Sequence, residues 1–239
     1  NWHFIGLSKL DASNTNWPSP TVEMTAMALS TSPQTQTDTW IKATWEAFFD
    51  AMNEPQYENA RGYFDNGHMR IEMSPLGAGH GRQNAVVMDV VSLFATFRNI
   101  RVVKLINGSF YKTGERGCQP DVAFYIGADI QLPPQNNSPD DVNAFGPPTL
   151  VIEISGSTFK DDLGAKRLLY ERLGVAEYWV VNVAEQDVIA FAISDRRSGE
   201  IQTSEVLPGL EIALVEEALN RSQTEDDSTL MRWLIDTLR

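Results

Sequence analysis

Residues 150–154 read LVIEI, four aliphatic side chains around one carboxylate, Glu153. A short, continuous aliphatic run of this kind reads as a strand in the interior of a sheet. A carboxylate inside such a strand is costly unless a cation or hydrogen bonds offset it. The chain must therefore build a sheet with an interior strand and bring a partner to Glu153.

The flanking text supplies the rest of a mixed α/β layout. WIKATWEAFFDAM, 40–52, has apolar residues at helical spacing, with Asp38 as the expected N-cap. YFDNGHMRIEMSP reads as two strands around Asn66-Gly67, a strong hairpin signal. HGRQNAVVMDVVSLFATF, 80–97, is a second helix. RVVKLIN (101–107), PDVAFYI (120–126) and LVIEIS (150–155) are strand candidates, and residues 128–148 between the last two read as a long polar, Pro-rich loop. DDLGAKRLLYERL, 161–173, is a helix closed by Gly174. EYWVVNV, 177–183, is another buried strand. VIAFAIS and EIQTSEVL follow as a strand pair around SDRRSG, and a last helix lies near 228–238 after the acidic TEDD. The expected fold class is α/β (α+β mixed), a central mixed β-sheet flanked by helices. The expected division is a flexible N-terminal extension over 1–38, one domain over 39–222, and an acidic C-terminal segment with a short helix over 223–239. The Ser-, Thr- and Pro-rich extension begins with Asn1, and Met24 or Met27 is a candidate start.

Side chains alternate along a strand. Val151, Glu153 and Ser155 share one face; Asp121, Ala123 and Tyr125 share one face of the preceding strand. Two strands thus each present one acid. Acids converging on one sheet edge raise each other's pKa, and a divalent cation or a lysine relieves this. Lys166 is available on the following helix, one turn after Asp162. Read singly, each residue has a plainer role. Asp121 after Pro120 can cap a turn, Lys166 can face solvent, and Glu153 can form a purely structural ion pair with Lys166. Glu72, between Ile71 and Met73, is a further acid for the same cleft, or an exposed strand residue paired with Arg70 or Arg82. His80 can cap the second helix or touch substrate. Asp161 and Asp162 are explained by capping and the helix dipole.

Composition narrows the function. Apolar content of 42% with 10% aromatics supports a core rather than a disordered chain. A formal net charge of −13 counts against broad, non-specific nucleic-acid affinity, but not against a local site where a cation stands between acids and a phosphate. One cysteine, Cys118, rules out an intrachain disulfide and fits a reducing, cytoplasmic location. No apolar run has membrane-spanning length, and the N-terminus does not read as a secretory signal. Three histidines without H-x-x-x-H spacing argue against a zinc hydrolase; His3 and His68 have no evident partners. Walker, G-x-G-x-x-G and G-x-S-x-G motifs are absent from the sequence.

Taken together, MRIEMSPLGAGHGRQN, PDVAFYI and LVIEIS…DDLGAKRLLYERLGVAEYWVVNV resemble the Uma-two family of restriction-endonuclease-like proteins, within the PD-(D/E)XK nuclease superfamily. The likeness covers roughly residues 40–220, and GVAEYWVV is its most specific part. It implies a restriction-endonuclease-like sheet and a metal-dependent endonuclease acting on DNA, with Mg²⁺ (or Mn²⁺) as cofactor and a homodimer as a candidate assembly. By the same likeness Asp121 matches the Pro-Asp aspartate and Glu153 the strand acid, both metal ligands. Ser155 stands where the strand lysine of the superfamily would be. Lys166 matches the lysine that this family carries on the next helix, in D-x-x-x-K. Glu72 lies near an acid of the family's N-terminal hairpin. EISGST departs from the Ser-Pro-Ser-Thr turn of many members. The implied catalytic set is Asp121, Glu153, Lys166 and Glu72. The alternative is a catalytically inactive nuclease-fold module that binds a partner.

Overall fold

The computed structural model describes residues 36–73, 77–136 and 138–239. Most of the expected extension, with His3, Met24 and Met27, lies outside the described residues. In chain order the elements begin with β1 (Ile41–Lys42), α1 (Trp45–Met52), β2 (Arg61–Asp65) and β3 (His68–Glu72). Next come α2 (Ala78–Phe97), β4 (Val102–Ile106), β5 (Phe110–Lys112), β6 (Arg116–Cys118) and β7 (Val122–Ile126). β8 (Asp140–Asp141), α3 (Val142–Phe145) and β9 (Leu150–Ser155) follow. A helix then starts as α4 (Phe159–Asp161), widens into a π turn (Asp162–Lys166) and continues as α5 (Arg167–Leu173). β10 (Glu177–Asn182), β11 (Asp187–Ser194), β12 (Arg197–Ile201), α6 (Ile212–Ser222) and α7 (Asp227–Leu238) complete the chain.

The central sheet has the order β12-β11-β10-β9-β7-β4. It is mixed: β9 and β10 run parallel, and the other neighbours are antiparallel. The expected fold class is what the molecule has. β9 lies between β7 and β10, so LVIEIS is an interior strand, as its continuous apolar run requires. Its two faces meet different layers. Leu150, Ile152 and Ile154 join a core with α2, α6 and α7, through residues such as Val90, Phe94, Val215 and Leu234. Val151 joins Ala123, Tyr125, Tyr178 and Val180 in a second core with Leu169, Tyr170 and Leu173 of α5. Each fully buried aliphatic side chain contributes roughly 2 kcal/mol of transfer free energy, so both faces are firmly seated.

A second, smaller sheet has the order β1-β3-β2-β6-β5-β8. It closes over the second core through Tyr63, Phe110 and Cys118. The β2–β3 hairpin turns at Asn66 and Gly67, both at positive φ (50° and 73°), as the Asn-Gly signal predicts. Its alternation divides the labour. Phe64, Met69 and Ile71 pack toward α1, and Gly62 lets α1 approach, since a Cβ there would lie 2.6 Å from Met52 Sδ. The opposite face carries Arg61, Tyr63, Arg70 and Glu72, in which Arg61 pairs with Glu72 and Tyr63 with Arg70 across the hairpin.

Several local expectations are corrected. The first helix begins at Trp45, not at residue 40, because Ile41 and Lys42 pair with β3. Its cap is Thr44, whose Oγ1 accepts from Ala47 N at 3.2 Å, rather than Asp38. The 128–148 segment is not all loop, since it contributes β8 and α3. Residues 200–207 are not one strand: β12 ends at Ile201, and the bonds Leu210 N to Leu207 O and Leu207 N to Ser204 Oγ turn the chain beyond it. The three-residue strands β5 and β6 have no counterpart among the expected elements, and neither has α6, although its buried Ile212, Val215, Ala218 and Leu219 recur at helical spacing. No helix of the described residues is long and apolar enough to cross a membrane.

Candidate active site

Four elements meet at one cleft of about 340 Å³. β3 brings Glu72, the residue before β7 is Asp121, β9 brings Glu153, and the π turn brings Lys166. All four expected residues line this cleft, with Arg61, His80 and Thr158 beside them. All four are nearly inaccessible, at 1–2% exposure. Glu72 is buried rather than exposed; of the two arginines named for it, Arg70 pairs with it at 2.7 Å, whereas Arg82 pairs with Asp227.

Lys166 is the hub. Its Nζ lies 3.0 Å from Glu72 Oε1, 2.9 Å from Asp162 Oδ1 and 3.7 Å from Glu153 Oε1. It also stands 4.1 Å from the centre of the Tyr63 ring. Burial alone would pull its pKa down, but Glu153, Asp162 and Glu72 outweigh that and raise it, so the ammonium stays charged. The π turn carries Asp162 and Lys166 together at its two ends; such insertions in helices recur at functional sites. Asp162 is therefore not merely a helix cap. It is buried, its Oδ2 accepts from Thr158 Oγ1 at 2.6 Å, and its Oδ1 faces Lys166. Asp161 is likewise held by Arg70, at 2.9 Å.

Glu153 is held on one oxygen. Tyr170 Oη donates to Oε1 at 2.7 Å and Tyr63 Oη at 3.2 Å, and Lys166 approaches the same atom. Burial pushes the Glu153 carboxyl up to about 8; Lys166 opposes the rise, and Asp121, Asp162 and Glu72 add to it. Asp121 has the opposite balance. Burial favours its neutral form, but the close His80 imidazole and the Arg61 guanidinium bring it down to about 2. The two acids thus sit in one cleft with their proton affinities driven apart, a pattern that recurs in catalytic carboxylate pairs.

Asp121 divides its two oxygens between different partners. Oδ2 accepts from Ile154 N at 2.8 Å, which ties the aspartate to β9 just past Glu153. Oδ1 lies 2.6 Å from Arg61 Nη2 and 3.1 Å from His80 Nε2, yet neither contact is a well-aligned hydrogen bond. His80 lies inside the first turn of α2 rather than before it, and its imidazole faces Asp121.

These oxygens suit a hard cation. No group of three or more His, Cys, Asp or Glu side chains among the described residues is gathered tightly enough to hold a metal ion. Mg²⁺, however, needs only one or two carboxylates and completes its shell with water and substrate phosphate. Asp121 Oδ1, buried and without a directed hydrogen bond, is such a donor, and Glu153 is engaged only through Oε1. The donor set fits the ion that the sequence suggests.

The model of a family described as "Putative restriction endonuclease", Uma2, matches residues 45–227. The chain belongs to the Uma2 family. Its match spans every element that builds the cleft. No curated protein matches the chain. A solved structure from Anabaena variabilis ATCC 29413, titled a putative nuclease belonging to DUF820, is similar to it with a TM-score of 0.48. The two share 16% identity over 74% of this chain and 98% of that one.

Sequence reasoning missed Arg61, Tyr63, Arg70, Asp162 and Tyr170 as parts of the Uma2 site. For four of them the sequence holds the shared face or the spacing, but not the fold contact that brings them to the cleft. Period-2 alternation in RGYFDNGHMRIE puts Arg61, Tyr63 and Arg70 on the face of Glu72, and Asp162 precedes Lys166 by one helical turn.

Proposed function

We propose that this chain is a divalent-cation-dependent endonuclease that hydrolyses phosphodiester bonds in DNA. The observation that carries this reading is the convergence of Asp121, Glu153, Glu72 and Lys166 in one cleft, drawn from separate elements. Asp121 and Glu153 would hold Mg²⁺ or Mn²⁺. When bound, the ion would polarise the phosphate and lower the pKa of a coordinated water.

The protein residues do the rest. Lys166 stays protonated and presents fixed positive charge where the attacked phosphate gains negative charge. Glu72 holds Lys166 in place from the second sheet, and Arg70 holds Glu72 at 2.7 Å. Tyr170 and Tyr63 fix the rotamer of Glu153, so the acid needs no reorganisation during the reaction. Asp121 is aligned by the Ile154 amide. The bond broken is P–O to the leaving sugar oxygen, and the bond formed is P–O from water.

The test is Mn²⁺- or Mg²⁺-dependent cleavage of duplex, branched and single-stranded DNA, with Glu153→Ala and Lys166→Ala beside the wild type. Wild-type cleavage that both variants lose is the expected result. Cleavage persisting unchanged in Lys166→Ala would remove the lysine from the mechanism. DNA binding without cleavage in any cation would favour an inactive nuclease-fold binding module.

A further inference from the structure

Arg61 opens β2 and is buried, with 8% exposure. The mechanism above gives it no part, yet it lines the same cleft. Its Nη2 lies 2.6 Å from Asp121 Oδ1 and 3.0 Å from Asn107 Oδ1. Asp121 Oδ2 is committed to the Ile154 amide, so Oδ1 is the oxygen that a divalent cation would use. The guanidinium rests on that oxygen.

The other cations of the cleft are held differently. Lys166 is bound by Glu72, Asp162 and Glu153, and Arg70 by Glu72 and Asp161. Among the described residues, Arg61 has one ion-pair partner, Asp121, and its second anchor is the neutral amide of Asn107. A cation arriving at Oδ1 would leave Arg61 with no charged partner in contact, and like charges would push it away. An arginine cannot shed its proton to relieve this; it must find another anion. In a cleft that admits a DNA strand, that anion is a phosphate oxygen, which the planar guanidinium fork matches.

We propose that Arg61 is the resident counter-charge of Asp121, that it yields Oδ1 to the entering divalent cation, and that it then engages a phosphodiester oxygen of the DNA. This rests on the nuclease reading above and adds a positioning residue to it. The exchange keeps the cleft close to electrically balanced in both states. It also couples the two binding events, because the cation releases the group that receives the phosphate.

The experiment has two arms, both without turnover. In the first, full-length wild type, Arg61→Met and Arg61→Gln are titrated with Mn²⁺ alone by calorimetry. Loss of the competing charge is expected to tighten Mn²⁺ binding about tenfold in both variants. Unchanged or weaker binding overturns the proposal, since a residue that merely oriented Asp121 would weaken uptake when removed. The glutamine variant keeps a neutral polar group in the cleft, so it carries the test if Arg61→Met does not fold. In the second arm, fluorescein-labelled duplex DNA is titrated in Ca²⁺ and followed by anisotropy. The variants are expected to bind about tenfold more weakly, the value of one charge-assisted hydrogen bond. Unchanged DNA affinity overturns the phosphate role. Wild-type protein that takes up no Mn²⁺ overturns the nuclease reading and this proposal together, whereas wild-type uptake with unaltered variants overturns only the assignment of Arg61.

Discussion

Lys166 Nζ lies closer to Glu72 Oε1, at 3.0 Å, than to Glu153 Oε1, at 3.7 Å. The lysine that follows the central strand is thus held by Asp162 of its own helix, at 2.9 Å, and by an acid from the second sheet, both closer than the strand acid. This explains why the β2–β3 hairpin is part of the site and not only of the scaffold. It also answers the problem posed by Glu153. The buried acid is offset by a shared ammonium and by two tyrosine hydroxyls, and no single ion pair does the work alone.

The Glu72–Lys166 contact should appear as a coupling energy. Breaking a buried pair from one side leaves an uncompensated charge and costs about 3–5 kcal/mol. Glu72→Gln and Lys166→Met are each expected to lower stability by about 3 kcal/mol in urea unfolding, for the same physical reason. The double variant should lose at least about 1 kcal/mol less than the sum, since each single change already forfeits the contact. Strict additivity would show that the two groups do not interact in solution.

Glu177 makes a useful contrast, because it too is a fully buried acid at the start of an interior strand. Its Oε1 accepts from Trp179 Nε1 at 2.6 Å, and its Oε2 accepts from the Glu205 and Val206 amides at 2.9 and 3.2 Å. Neutral donors, not cations, satisfy it, and it is absent from the residues that line the cleft. Glu177→Ala is expected to cost about 3 kcal/mol by stranding buried donors. Its Mn²⁺ affinity should equal that of the wild type in calorimetry. A loss of cation uptake at constant stability would contradict this division between a structural and a site acid.

The same contrast shows what the sequence could reveal. LVIEIS and EYWVVNV announced interior strands because both faces of the sheet are covered, leaving no polar alternation to blur the signal. The acid pair Asp121–Glu153 followed from strand parity, since one residue of error in parity would have put either acid on the wrong face. Arg61 and Tyr63 were overlooked for a different reason. Their role depends on a second sheet folding over the first, and β5, β6 and β8 that complete that sheet are three residues or shorter. Strands that short leave no periodicity to read. Asp162 reads as a helix cap in sequence because the π turn, which brings it to Lys166, has no sequence signature of its own. GVAEYWVV drew attention as a family signature, yet its acid is structural.

Glu153 predicts how stability varies with pH in the cation-free protein. Burial raises its folded pKa from 4.5 to about 8. Between those values the unfolded chain has released the proton and the folded chain retains it, so rising pH favours unfolding. Stability attributable to Glu153 is intact below about 4.5, falls on the order of 1 kcal/mol per pH unit at most, and levels off above about 8. Asp121 acts in the opposite sense and outside this window: its lowered value means that its contribution is lost only as pH drops below 3.8 toward about 2. Urea unfolding at pH 5.5 and 8.5, in EDTA, should therefore show a larger decline for wild type than for Glu153→Gln. Comparing the two proteins cancels what other groups contribute. Tyr170→Phe sharpens the result, because removing a donor to the charged carboxylate at 2.7 Å raises the folded pKa further and extends the decline to higher pH. Adding Mn²⁺ at pH 8.5 should restore much of the lost stability, since a cation replaces the proton on Glu153. Equal pH dependence in wild type and Glu153→Gln would mean that the buried carboxylate ionises without cost, and the electrostatic picture of the cleft would have to be redrawn.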